Sequence, residues 1–265
     1  MAKFLLGLAT GLVLVFLTLI LLFLAALRFR ERPPDVADNS VLVLRLEGDL
    51  PEKPPLELPL GLGGSGVTVP GVWMAIKKAA ADPRIRAIAL EPEGLSAGWA
   101  KVEEIRSDIE QFRKSGKPVF AYLRTPRAKE YYLALAADRI FMGATDQLYL
   151  YGLRAEIMYF KKTLDKLGVT VEVEHAGKYK DFGDMFTRTD MSPETRESIG
   201  SVVDELYGNL VARIAASRKK TPEEVRAIID QGPFTATRAR AAGLVDELRF
   251  EDEMWGALRD RLKAG

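Results

Sequence analysis

From Val41 onward, short apolar runs alternate with longer segments of helical period, and this alternation constrains the fold more than any other feature. Val41–Leu46 reads VLVLRL, apolar at nearly every position, as in a strand buried on both faces. Val72–Ala81 reads as a helix halted at Asp82-Pro83, and Ala87–Leu90 as a short buried strand. Ala100–Lys114 carries Val102, Ile105, Ile109 and Phe112 on one helical face and stops at Gly116. Strand Val119–Leu123 follows, then helix Glu130–Ala137 and strands Ile140–Met142 and Leu148–Leu153. Helix Met158–Leu167, closed by Gly168, leads into strand Val169–Glu174. Strands linked through helices give a mostly parallel sheet covered by helices, so the predicted class is α/β.

The last third is helical. Ser192-Pro193-Glu194 supplies an N-cap, a proline at the first helical position and an acid on the positive end of the dipole, for a helix to about Arg218. Thr221-Pro222-Glu223-Glu224 is a capping box for a second helix. Thr235-Ala236 opens a third, closed by Gly243, and Leu244-Val245-Asp246 is a terminal strand.

Ahead of this body, Phe4–Leu27 is apolar apart from Gly and Thr. At roughly 1.5 Å per residue such a run crosses the roughly 30 Å hydrocarbon layer. It exceeds the core of a signal peptide, so residues 1–30 are read as an uncleaved anchor and 31–39 as a linker. The competing reading is a signal peptide cleaved after Ala25-Ala26. Lys3 lies before the run and Arg28, Arg30 and Arg32 after it, which by the positive-inside rule places the body in the cytoplasm.

Composition removes several functions. Lys and Arg total 38 against 37 Asp and Glu, so no nucleic-acid partner is expected. Zero cysteines exclude disulfides, thiolate zinc sites and cysteine nucleophiles, and a single histidine, His175, argues against histidine-rich metal sites. No cofactor and no metal are expected. Gly61–Gly66 matches G-x-G-x-x-G, but a proline-rich stretch precedes it and no helix starts at its end, so it reads as a loop. No G-x-S-x-G elbow accompanies the histidine.

Paired carboxylates for glycoside chemistry stay open, though no spacing singles any out; serine–lysine chemistry needs only those two residues. The segment His175-Ala176-Gly177-Lys178-Tyr179-Lys180-Asp181 offers two lysines after a glycine-bearing turn. Lys180 is the better candidate base, because Asp181 follows it and the Ser192 cap lies close downstream. The bland alternative is a solvated lysine in a connection. A lysine base has to be neutral, and so must sit where burial disfavours the ammonium.

Gly152–Ser198 closely resembles the signal peptide peptidase A family of membrane-bound serine peptidases. Arg86–Leu90, Ser115–Tyr122, Tyr131–Ala134, Gln231–Phe234 and Ala239–Asp246 extend the likeness over about residues 40–250. The resemblance implies a Clp protease/crotonase-like spiral of ββα units behind one N-terminal transmembrane helix, forming a peptidase half-domain over residues 40–250. Residues 251–265 would be a C-terminal helix or linker toward a second half. It also implies Lys180 as the catalytic general base, at the fourth position of the family's G-x-x-K-[SD] pattern.

The nucleophile departs from the family. A Ser-Gly-Gly-Tyr-Tyr type motif at a helix start appears here as Ala128-Lys129-Glu130-Tyr131-Tyr132, with no hydroxyl at Ala128. The family's Pro-Gly-Gly turn appears as Leu95-Ser96-Ala97-Gly98, in which Ser96 is a loop serine and a weak substitute. Long members of the family split the dyad between two halves, and this chain reads as the lysine-bearing N-terminal half, or as a truncated or standalone relative. The serine would come from a second half or an adjacent subunit of a homo-oligomeric ring. The implied substrates are peptides, remnants of signal peptides, with the bilayer engaged through residues 4–27. The family resemblance puts the body outside the cytoplasm, single-pass in the inner membrane, against the literal charge rule. Two rivals stand beside this reading: a catalytically inactive peptide-binding or assembly scaffold, and a crotonase-type acyl-CoA enzyme.

Overall fold

A computed structural model describes residues 1–28, 36–54, 67–174 and 176–263. The Gly61–Gly66 motif, His175, Arg30 and Arg32 lie outside the described residues. The chain forms two compact units, Met1–Ala37 and Asp38–Gly265.

The first unit contains a single helix, α1 (Ala2–Arg28). Its stretch Lys3–Phe23 is long and apolar enough to cross a membrane, and its described leucines, valines and phenylalanines are all exposed. Apolar residues all round a helix suit a lipid environment rather than water.

The second unit is built on five parallel strands in the order β1 (Ser40–Gly48), β2 (Ile85–Leu95), β3 (Val119–Leu123), β4 (Arg139–Met142) and, last in the sheet, β7 (Glu247–Leu248). A parallel sheet must be covered on both sides. One side packs under α2 (Val69–Ala81), α3 (Trp99–Arg113) and α4 (Ala128–Ala134), where Leu46, Leu90, Ile105, Phe112, Leu123 and Tyr131 are buried together. The other side packs Ala87, Ala89, Phe120 and Phe141 against Met254 and Leu258 of α10 (Glu251–Lys263). Residues 251–263 thus belong to this unit's core. Two covered faces explain why β2 and β3 are apolar at successive positions rather than alternately.

Between β4 and α10 lie β5 (Gln147–Leu148), α5 (Lys161–Lys166), α6 (Asp184–Thr187), α7 (Pro193–Arg218), α8 (Pro222–Ile229), β6 (Phe234–Thr235) and α9 (Ala236–Ala241). The caps follow the expected chemistry. Ser192 Oγ accepts from the Thr195 N–H at 3.0 Å, and Thr221 and Glu224 exchange the two bonds of a capping box.

The structure differs from expectation in two regions: the terminal strand expected at Leu244-Val245-Asp246 forms instead at Glu247–Leu248, where β4 supplies the ladder, and the other lies between β4 and α7. The strand expected over Leu148–Leu153 is confined to Gln147–Leu148, paired antiparallel with β6. No strand forms over 169–174, and the helix expected over Met158–Leu167 shortens to Lys161–Lys166. β-propensity needs a neighbouring ladder to satisfy the backbone, and no described residue offers one to 169–174. Val169 and Val173, as well as Met158 and Phe182, are exposed there.

Candidate active site

Strands β2 and β3 both end at one edge of the sheet, and the turns that follow them build the first candidate site. After β3, Thr125-Pro126-Arg127 leads into α4, so Ala128 is the first helical residue. After β2, Leu95-Ser96-Ala97 leads toward α3. A cavity of about 590 Å3 lies between them, lined by Ser96, Arg124, Arg127, Glu130, Tyr149 and Tyr151 among others.

Glu130 governs this cavity. It is 2% exposed, and its Oε1 accepts from the Leu95 N–H at 2.5 Å while Oε2 accepts from the Arg127 N–H at 3.0 Å. The Ser96 and Ala97 N–H groups both donate to the Gly48 carbonyl, at 3.0 and 3.2 Å. The Leu95, Ser96, Ala97 and Arg127 N–H groups are therefore already engaged inside the fold and are not free to stabilise a developing oxyanion. Ala128 contributes no hydroxyl. Ser96 is exposed, and no lysine or histidine among the described residues lines its cavity.

The neighbouring ions are structural. Glu91 is buried and accepts from Arg45 Nε at 3.0 Å, while Arg124 pairs with Glu251 and so ties the end of β3 to the start of α10. Lys129 Nζ donates to the Ala97 carbonyl at 2.6 Å, holding the two turns together.

Lys180 lies elsewhere. It lines a second cavity of about 620 Å3, open at one side, with Val173, Ala176, Phe182 and Phe186 supplying apolar wall. Lys180 itself is exposed, and its ammonium makes no hydrogen bond or ion pair with any described residue. Lys178 differs: its ammonium lies 5.0 Å from the centre of the Tyr179 ring. The Tyr179 hydroxyl donates to Glu197 on α7 at 3.0 Å.

The carboxylate next in sequence to Lys180 is held at the start of α7. Asp181 Oδ2 accepts from the Thr195 hydroxyl at 2.6 Å, and Thr195 is in turn bonded to Ser192 at the start of α7. Gly183 allows close packing in the same turn, since a Cβ there would lie 2.2 Å from Val173 Cγ1. Among the described residues no Ser or Thr lines this cavity, and it shares no lining residue with the cavity of Ser96 and Glu130.

Residues 111–264 match the profile of peptidase family S49. The chain belongs to peptidase family S49. It is 34% identical over 227 residues to "Serine protease SPPA, chloroplastic" of Arabidopsis thaliana, covering 86% of this chain and 33% of that protein. It is 34% identical over 193 residues to "Protease 4" of Salmonella typhi, covering 69% and 31%. For "Protease 4" of Haemophilus influenzae the values are 32% over 184 residues, covering 69% and 29%. The chain spans about a third of the length of these curated relatives. The family likeness read from Gly152–Ser198 is therefore borne out, as is the Clp protease-like α/β fold of an S49 member with an N-terminal apolar helix.

Two features of this S49 chain escape sequence reading. One is the burial of Glu130 against Leu95, 35 residues away. Its only trace in the sequence is an acid at the third helical position, where a cap is expected. The other is the Asp181–Thr195 bond, whose cap-forming Ser192 was legible but whose second partner was not.

Proposed function

We propose that this chain is the lysine-bearing component of a membrane-anchored serine peptidase. Lys180 takes the proton from a serine that the chain does not itself supply, and returns it to the leaving amine. The serine comes from a serine-bearing second half or adjacent subunit, α1 holds the assembly in the inner membrane, and the body works on its outer side. Remnants of signal peptides are the substrates, bound near the bilayer with apolar side chains in pockets such as that walled by Val173, Phe182 and Phe186.

One observation carries this reading: Lys180 lines a cavity that shares no lining residue with the cavity between the turns after β2 and β3, and among the described residues neither cavity holds a serine–lysine pair. An active serine docking beside Lys180 would close the open cavity and desolvate the amine, which a base needs. The test is purification of the full chain from its native membrane with whatever assembles on it, followed by peptide hydrolysis and fluorophosphonate labelling. Activity should fall by at least about 100-fold in Lys180→Ala, the scale of a lost general base. Lys178→Ala should stay within a few-fold of the parent. Undiminished hydrolysis by Lys180→Ala refutes the assignment.

A second reading is favoured by Glu130, whose carboxylate fills the turn amides. On it, the chain is an inactive scaffold of the same fold. Absence of any fluorophosphonate-reactive partner in the purified assembly decides for the scaffold.

A further inference from the structure

The edge of the sheet opposite the candidate active site, where β2, β3 and β4 begin, carries two adjoining cavities of about 290 and 300 Å3. They share Gly116, Lys117, Pro118 and Arg261. Arg86, Arg113, Lys117, Arg139 and Arg261 line them, with Asp138 as the only carboxylate.

Some of this charge is used internally. Arg113 binds Asp138 and Arg139 binds Glu247. Three cations are left over. Lys117 spends its ammonium on neutral acceptors, the carbonyls of Ala79, Ala80 and Asp82 at 2.7, 3.1 and 2.7 Å. Arg86 reaches only the neutral Asn39 Oδ1, at 3.4 Å. Arg261, near the end of α10, meets no partner among the described residues. The Asp82 carboxylate is occupied by Arg84. Desolvation, with Arg86 nearby, also pulls the Lys117 ammonium below the usual lysine range despite the opposing pull of Asp82. An anion with several oxygens would relieve all three charges at once.

The position of this edge in the chain names the source of such an anion. β1 enters the sheet here, with the Ser40 N–H donating to the Arg84 carbonyl at 2.8 Å. Eleven residues of sequence, 29–39, separate this entry from the end of α1, a reach of roughly 40 Å at most. A basic cluster so close in sequence to a membrane-spanning helix suits the phosphates at a bilayer surface.

We infer that these two cavities form a binding site for the phosphodiester headgroups of anionic lipids, which fixes this edge of the sheet at the membrane. The inference rests on the reading of α1 as an anchor. The experiment places the full chain in nanodiscs of phosphatidylcholine alone or enriched in phosphatidylglycerol, and follows hydrogen exchange at Lys117–Phe120 and in the last turn of α10. Exchange should slow by about fivefold or more in the anionic discs, on the scale of one basic residue's attraction to such a surface. The difference should vanish in Arg86→Gln/Arg261→Gln, which leaves the capping Lys117 in place, while exchange within α3 stays unchanged. Equal exchange in both discs overturns the inference, as does a lipid difference that survives in the double variant. Inorganic phosphate protecting the chain equally well in neutral discs also overturns it, in favour of a soluble-anion site. Failure of the chain to co-elute with discs overturns the anchor reading, and the inference with it.

Discussion

Removing the Glu130 carboxylate is the sharpest test of how the Ala128 turn is held. Glu130 is buried, and each of its oxygens accepts one backbone N–H, from Leu95 and from Arg127. A hydrogen bond to a charged acceptor is worth about 1.5–3 kcal/mol, so Glu130→Ala forfeits two of that kind. The adjoining cavity of about 590 Å3 is large enough for water to reach the freed N–H groups, which offsets part of the loss. The expected cost is about 3 kcal/mol for Glu130→Ala. Glu130→Gln keeps one acceptor but turns an NH2 group toward the other N–H, and should cost roughly half as much. The assay is urea unfolding in mild detergent, followed by the fluorescence of Trp73, Trp99 and Trp255, all of which lie in the Asp38–Gly265 unit. The slope against urea should stay constant, so that midpoints report stability alone. A Glu130→Ala protein within about 0.5 kcal/mol of the parent would refute the reasoning, because ordinary surface changes fall in that range. So would a Gln variant less stable than the Ala variant.

Ala128→Ser alone should not react with fluorophosphonate, since no lysine or histidine lines its cavity among the described residues and the turn amides remain with Glu130; stoichiometric labelling would contradict this. Gly232→Ala would set a Cβ 1.8 Å from the Leu150 carbonyl oxygen and should destabilise by about 3 kcal/mol or more, whereas Gly208→Ala, with nothing within 4 Å inside α7, should be neutral or gain up to about 1 kcal/mol. Thermal unfolding of the two variants separates these outcomes. The Asp82 carboxyl is lowered to about 2 by hydrogen bonds from the Arg84 side chain and backbone. Its folded value lies below its unfolded one, so its contribution to stability is complete above about 3.8 and is lost as pH falls through about 2. Carboxyl NMR titration should show the Asp82 midpoint rising in Arg84→Gln, and an unmoved midpoint would disprove the cause.

Much of the fold was legible because local chemistry and tertiary structure agree. Val119–Leu123 is apolar at every position and lies in the middle of a sheet covered on both faces. Ser192, Thr221 and Thr235 cap the helices they were expected to start, because a side-chain oxygen over a free N–H is a local interaction. The segment 169–174 misled for the opposite reason: its Val and Glu alternation favours a strand, but a strand exists only if a neighbour completes the ladder. For the site, the lysine segment and the missing hydroxyl at Ala128 were readable as residue types. The turning of Asp181 toward Thr195 and the capture of the Leu95 amide by Glu130 were not.

By itself, then, the sequence determined the α/β class, most of the strands and helices, the apolar N-terminal helix, the family, and Lys180 as the candidate base, because each depends on local pattern or motif. Tertiary structure alone decided that α10 covers the second face of the sheet and that Glu130 closes the turn amides. It alone set Lys180 in a cavity that shares no lining residue with that of Ser96 and Glu130, and brought Arg86, Lys117 and Arg261 to one edge of the sheet. These are juxtapositions of residues tens of positions apart, and a chain's pattern carries no distance between them until the sheet and its helices have packed.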